Sequence, residues 1–524
     1  MRNLEIFDST LRDGAQARNI SFTVEDKLNI VRALDALGVR YIEAGNPTSN
    51  PKDLEFFTRA ALLHLQNAEL VAFGSTRHRE RTPQDDPLLQ RLLGAGTGTV
   101  AIFGKSSELH AREVLGVSLE ENLHMIEETV RYCVQNGKQV IFDGEHFFDG
   151  YKQNPDYAMR TLQAAASAGA MRLVLCDTNG GCFPDEIAEI TGKAVARFGG
   201  MVGIHCHDDT GCAVAGSLMA VGAGAVQVQG TFIGFGERCG NANLSAVIPS
   251  LQLKRGYACI PEGQLCELTA TARYVAEVAN IVLPAQLPYV GASAFAHKGG
   301  MHIDGVTKLR SSFEHVDPAS VGNERDLLLS EMSGRTSLLH KIRAFAPGLR
   351  KDSAQVAQLM DILKRLEFEG YQFESASASF ELVVLRHLEL FSSPYRVELF
   401  RIVGEQADKQ ESKLSSAIVK VQVGERSEIT AAEGQGPVNA LDKALRKALE
   451  VFYPEIRDIR LVDYKVRVME PQRATAAKVR VFIETTDGAA SWTTVGVSTD
   501  IINASFKALT DSMDYKLYRS AKGL

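Results

Sequence analysis

Cysteine is scarce: eight are spread over 524 residues. So few do not make a disulfide scaffold, and none falls in the paired spacing of a zinc ribbon. Reduced thiols and a cytoplasmic setting are therefore expected. An excess of basic charge is also absent, since 57 Lys and Arg face 64 Asp and Glu for a net charge of -7. That balance argues against nucleic acid as a partner, although a local basic patch could still take a phosphate-bearing small molecule. No apolar run approaches the ~18 residues of a membrane helix, and the first residues lack the apolar core of a signal peptide. A membrane partner is not expected either. What is left, 45% hydrophobic and 23% charged residues, is the balance of a soluble globular protein large enough for several domains.

The first half alternates short apolar runs with helix-period segments. LEIFD, RYIEAG, LVAFG, TVAIFG, QVIFDG, RLVLCDT, MVGIHCHD and AVQVQG read as eight strands. Between them lie segments such as TVEDKLNIVRALDALG and SLEENLHMIEETVRYCVQNG, several closed by a glycine placed as a C-cap. Continuous apolar strands are buried on both faces. Eight strand–helix units in this span fit a closed (β/α)8 TIM barrel of about 250 residues better than an open doubly wound sheet. Three regions are predicted: a catalytic barrel over residues 1–270, helical linker subdomains over 271–375, and an α+β C-terminal domain over 376–524. The run LPYVGASAFAHKGGMHIDGV reads as a loop interrupting the helical region. In the last region, AIVKVQVGERSEI with VNALDKAL is echoed by KVRVFIETTDG with INASFKAL. A twofold repeat of hairpin plus helix suits a small-ligand or dimerisation module, or a duplicated scaffold without a ligand.

Side chains at the C-terminal ends of barrel strands converge on one mouth. Those ends carry Asp8, Arg12 and Asp13, then Glu43, Asp143 and Glu145, Asp177 and Thr178, and His205, His207 and Asp208; Glu237 and Asn241 follow strand eight. His205 and His207 are two apart on a strand and so leave the same face. With Asp13 across the mouth they make a mixed nitrogen and oxygen site for a divalent cation. Asn241 can complete that set through its amide oxygen; alone it is a loop residue. Arg12 is always cationic and cannot ligate a metal. Beside one it suits an anion or a developing oxyanion, the plainer alternative being an ion pair with Asp8 or Glu43. Glu145 is a base or a partner of other side chains, which spacing does not separate. GTFIGFGERCGNAN lacks the strand–turn–helix context of a dinucleotide loop. It reads as a tight turn that lets Asn241 reach the mouth.

DSTLRDGAQ, HCHDDTGCAVAGSLMAVGAG, GFGERCGNANL and GGMHIDG together resemble the acyl-CoA-condensing family of 2-isopropylmalate, homocitrate and citramalate synthases. The resemblance covers nearly the whole chain, the C-terminal repeat included. DGAQ, IFDGEHFFDGYK and DGAASWTTVGVSTDIINAS resemble the citramalate branch, with 2-isopropylmalate synthesis from 2-oxoisovalerate as the alternative. The resemblance implies a divalent cation (Mg, Mn or Zn) on Asp13, His205, His207 and Asn241, with Arg12 stabilising an oxyanion. It implies keto-acid contacts from Glu145 and Thr178, and a loop carrying His302 and Asp304 over the mouth, often from the other subunit. His302, oriented by Asp304, is the candidate base and Glu145 the other. Apolar side chains such as Phe73 and Phe103 are expected to line the keto-acid pocket. The substrates implied are pyruvate and acetyl-CoA, in a homodimer with isoleucine as effector of the C-terminal domain, on a threonine-independent route to isoleucine. One departure stands out: Phe313 occupies the place of a tyrosine that assists catalysis in relatives. A lyase running the reverse chemistry is disfavoured by the C-terminal repeat. A non-catalytic amino-acid sensor is disfavoured by the intact Arg12, Asp13, His205 and His207.

Overall fold

The eight apolar runs form eight parallel strands that close on themselves in a computed structural model of the chain. It describes residues 2–48, 51–328, 338–339, 342–343, 345–350, 353–373, 375–404, 415–469 and 477–523. The chain divides into two compact units, Met1–Ala296 with Glu314–Asp326, and His297–Phe313 with Leu327–Leu524.

In the first unit the barrel strands are β1 (Glu5–Asp8), β2 (Tyr41–Gly45), β3 (Glu69–Ser75), β4 (Thr99–Lys105), β5 (Gln139–Glu145), β6 (Arg172–Asp177), β7 (Val202–Cys206) and β8 (Gln227–Gly230). Each pairs with its neighbour in order, and β8 returns to β1 in the register Glu5–Gln227 to Asp8–Gly230. Side chains such as Ile42, Val100, Phe142 and Leu175 are fully buried, as strands covered on both faces require. The helices start and stop where their ends find partners. In α1 (Val24–Leu37), Thr23 and Asp26 form a reciprocal capping box, and Gly38 at φ +94° ends the helix in the left-handed region.

The second unit holds two three-stranded antiparallel sheets. They are β9 (Arg396–Gly404), β10 (Ser415–Val423) and β11 (Arg426–Gly434), then β12 (Arg460–Val468), β13 (Val479–Thr486) and β14 (Ser491–Ser498). The run YRVELFRIVGE, which reads as a strand in the sequence, forms β9, with Glu405 outside the described residues. The expected repeat proves larger than hairpin plus helix, because β9 recurs as β12 at the same spacing. Even the irregularity in β9 between Val397 and Leu399 returns between Leu461 and Asp463. Each sheet carries one long helix, Pro437–Glu450 or Ile501–Lys522. Thr430 Oγ1 donates to the Ala444 carbonyl (2.7 Å), and Thr494 Oγ1 to that of Ala508 (2.8 Å). In β14 the helix backbone comes so near that a Cβ on Gly496 would sit 2.0 Å from the Ala504 carbonyl oxygen. Gly496→Ala is therefore expected to destabilise this unit by about 3 kcal/mol, read as a fall in the denaturant midpoint. Gly404→Ala, which meets nothing within 4 Å, is expected to leave the midpoint unchanged. Equal midpoints for the two variants would contradict this packing.

The GGMHIDG segment departs from the expected loop: Gly300–Lys308 is a helix. Ile303 and Val306 are buried at helical spacing, which outweighs the low propensity of its glycines. A Cβ on Gly305 would lie 2.4 Å from the Phe313 ring, so that glycine makes room for it. No described helix is long and apolar enough to cross a membrane.

Candidate active site

Asp13 follows β1, His205 lies on β7 and His207 just beyond it; all three are buried. His205 Nε2 and His207 Nε2 are 3.4 Å apart and lie 3.7 and 3.9 Å from Asp13 Oδ2. Among the described residues this is the group whose ligand atoms gather within 4.8 Å in the manner of a metal site. Asn241 Nδ2 donates to Asp13 Oδ1 (3.1 Å), while Asn241 Oδ1 is buried with no protein partner. An orphaned amide oxygen beside two imidazoles and a carboxylate is a donor set suited to a divalent cation.

The electrostatics agree with that fit. Burial pushes the Asp13 carboxyl upward, but Arg12 and then the two histidines outweigh it and hold it well below the usual carboxylate range. Burial, then the neighbouring His205, lowers His207 to about 4, so its imidazole is neutral at pH 7, the form that ligates.

Arg12 serves both readings of it. Its Nε donates to Glu43 Oε2 (2.6 Å) and its Nη1 to Asp13 Oδ2 (2.8 Å). Its guanidinium carbon lies 3.8 Å from the centre of the Phe73 ring, and the side chain still lines the central cavity. Glu43 is fully buried and also accepts from the Ser9 hydroxyl. The cavity has a volume of 220 Å³. Asp13, His205, His207, Glu145, Thr178 and Asp143 give its polar wall; Phe73 and Phe103, stacked at 5.2 Å, give an apolar one. Burial, then repulsion from Glu43, pushes Asp143 up to about 8 and leaves it mainly protonated at neutral pH.

Some expected residues are taken up by other partners, and some cavity residues have partners of their own. Asp177 accepts from the Gly181 and Cys182 amides, and Asp208 from that of Ala213, so both serve loop turns. Glu145 pairs with Lys105, its strand partner. Thr178 Oγ1 accepts the His146 N–H (2.8 Å), which leaves its own proton to donate. The turn before Asn241 is as tight as its glycines imply: a Cβ on Gly236 would lie 2.2 Å from Asn241 Nδ2. In the second unit, His302 is exposed and stacks on Phe313 (4.2 Å), and Asp304 accepts from Lys308 (2.5 Å). Among the described residues no hydrogen bond joins Asp304 to His302.

A family model described as HMGL-like matches residues 3–275, more than half of the chain. The chain belongs to the HMGL-like family. Beyond this HMGL-like barrel, residues 289–370 match a homocitrate synthase post-HMGL domain-like model. Residues 374–517 match a LeuA allosteric (dimerisation) domain model. Among curated relatives, the (R)-citramalate synthase of Aquifex aeolicus (strain VF5) is 50% identical over 98% of both chains. That of Geobacter sulfurreducens is 47% identical over 99% of this chain and 98% of its own. A probable 2-isopropylmalate synthase of Methanopyrus kandleri is more distant, at 32% over 96% of each.

One lining residue of this HMGL-like site, Cys176, escapes sequence reasoning. So do Gln227 and Gln229 inside β8, both fully buried. The available signal is their alternation in AVQVQG, where a strand buried on both faces would otherwise be apolar throughout.

Proposed function

We propose that the chain condenses acetyl-CoA with pyruvate and water to give (R)-citramalate and CoA. The observation that carries this reading is the 220 Å³ cavity, which brings metal-ligand geometry together with Arg12 and the phenylalanine it stacks on. Pockets for drug-sized ligands run to ~300–1,000 Å³, so this one suits a small keto acid. The near full-length similarity to (R)-citramalate synthases supports the same substrate pair.

A divalent cation (Mg, Mn or Zn) held by Asp13, His205, His207 and Asn241 would supply Lewis-acid polarisation of a ketone. Thr178 donates its free hydroxyl proton to the keto-acid carboxylate. Arg12, fixed by Glu43 and Asp13, faces the ketone oxygen as it gains negative charge during carbon–carbon bond formation. Phe73 and Phe103 bound the space for the pyruvate methyl group. The acetyl methyl proton goes to a base, for which His302 is our candidate and Glu145 the other, and a proton returned from that base converts the alkoxide to the product hydroxyl. Water then cleaves the thioester: its hydroxyl joins the acyl carbon and its proton goes to the departing CoA sulfur.

Residues 1–270, 271–375 and 376–524 are our proposed barrel, linker and regulatory regions. Dimerisation and allosteric control at the last of these are supported by the LeuA-type match, we infer isoleucine as the effector from the proposed product, and such control requires an element with two states that both sites bias. A cytoplasmic place is supported by eight free cysteines. We infer a role on the threonine-independent route to isoleucine from the product.

A keto-acid panel with acetyl-CoA, read as CoA release, tests the reading. Pyruvate is expected to exceed 2-oxoisovalerate by roughly 100-fold or more in kcat/KM, because two extra methyl groups must fit against the phenylalanines. A preference for 2-oxoisovalerate would favour 2-isopropylmalate synthesis instead. Exchange of the acetyl methyl protons with solvent is expected to vanish in His302→Ala; retained exchange there, with loss in Glu145→Gln, would move the base to Glu145.

A further inference from the structure

We infer that Gln229 is a positioning residue that sets which ring nitrogen of His205 carries the proton, as the end of a directed hydrogen-bond chain through the barrel floor. The chain starts at Glu5, whose carboxylate accepts from Arg172 Nε (2.9 Å) and Nη2 (2.5 Å). An ionised carboxylate only accepts, so the amide group of Gln227 must turn Nε2 toward Glu5 (3.0 Å). That leaves Gln227 Oε1 facing Gln229 Nε2 at 3.5 Å. Gln229 Nε2 also donates to Asp143 Oδ1 (3.0 Å). Its Oε1 is then committed to His205 Nδ1 at 2.9 Å, across the direct pairing of these two residues on β7 and β8. An acceptor there requires a proton on Nδ1, which leaves the lone pair of the neutral ring on Nε2, the nitrogen that faces Asp13 and His207. Either glutamine turned over would put the proton on Nε2 and close that position to a metal.

The inference rests on the metal reading given above, and its test separates the two. The full-length apo protein is titrated with Mn²⁺ by calorimetry. Gln229→Met fills the space without an acceptor, and its affinity is expected to fall ~10- to 100-fold, the usual cost of losing such a partner. Gln229→Glu keeps an acceptor for Nδ1–H and is expected to stay within about threefold of the parent, a split that a packing role would not produce. Unchanged affinity in Gln229→Met overturns the inference. Absence of Mn²⁺ binding by the parent, or equal binding by His207→Ala, would instead overturn the metal site. A second measurement does not depend on metal or on the folding of a variant at position 229. Long-range proton–nitrogen spectra of the ¹⁵N-histidine-labelled apo parent, with His205→Asn for assignment, are expected to show His205 protonated at Nδ1. Protonation at Nε2 overturns the inference.

Discussion

Arg12→Ala is expected to lower turnover of pyruvate by about 10²–10³-fold and to destabilise the barrel by roughly 3–5 kcal/mol. The two losses have separate causes. Turnover falls because the fixed cation lining the cavity is gone when the ketone oxygen gains charge. Stability falls because Glu43, fully buried beside Ser9, loses the guanidinium held 2.6 Å away and becomes an uncompensated charge. Arg12→Lys separates them. A lysine restores a positive charge near Glu43 but cannot span Glu43 and Asp13 with one planar fork. It is expected to recover most of the stability while kcat stays low and KM for pyruvate moves little. Steady-state kinetics and chemical denaturation of the apo proteins check the pair. A fully active and stable Arg12→Ala would remove Arg12 from both roles.

His207→Ala is expected to abolish nearly all condensation, a loss of more than about 10³-fold, even with divalent cation restored in excess. Removing one of two imidazoles 3.4 Å apart leaves Asp13 and His205 with the amide of Asn241, too few nitrogen donors for tight binding. The folding cost is expected to be small by comparison. His207 is neutral at pH 7 and its Nδ1 has no protein partner, so no buried charge is stranded by its loss. Metal titration and CoA release measured on the same preparation check this. Full activity in the variant would sink the metal site.

Both expectations start from residues that were legible in the sequence. DSTLRDGAQ and HCHDD stand at strand ends, and alternation along a strand is enough to put His205 and His207 on one face. The eight strands were legible because most are continuous apolar runs between helix-period segments, β8 with its alternating glutamines being an exception. The helix Gly300–Lys308 was not, because local propensity argues against it and only burial of Ile303 and Val306 holds it. Asp177 and Asp208 look as chemical as Asp13 in a string of letters, yet backbone amides claim them. Gln229 has the opposite fault: a neutral amide carries no chemical signature until its neighbours, Gln227, Asp143 and His205, are in place. The place of β9 and β12 in the C-terminal repeat was hidden for a related reason, although both segments read as strands. YRVELFRIVG and IRLVDYKVRV share little but a period of two, so the kinship of β9 and β12 lies in their pairing and their matching irregularity.

The closure of β8 on β1 has a kinetic consequence. Asp13 follows the first strand of the ring and Asn241 the last, and they become neighbours only across that seam. A cation that engages both ends ties the longest loop the barrel possesses, at a point where chain entropy most opposes contact. Such a site has no partly formed version. A chain synthesised just past β7, as far as His207, already owns both histidines and Asp13, but nothing yet closes the ring around them. Occupancy would thus signal that the ring has shut, and uptake of a cation during refolding would time the final strand rather than the first collapse. By mass action the same cation would then resist reopening of the seam, more strongly as its concentration rises above its dissociation constant.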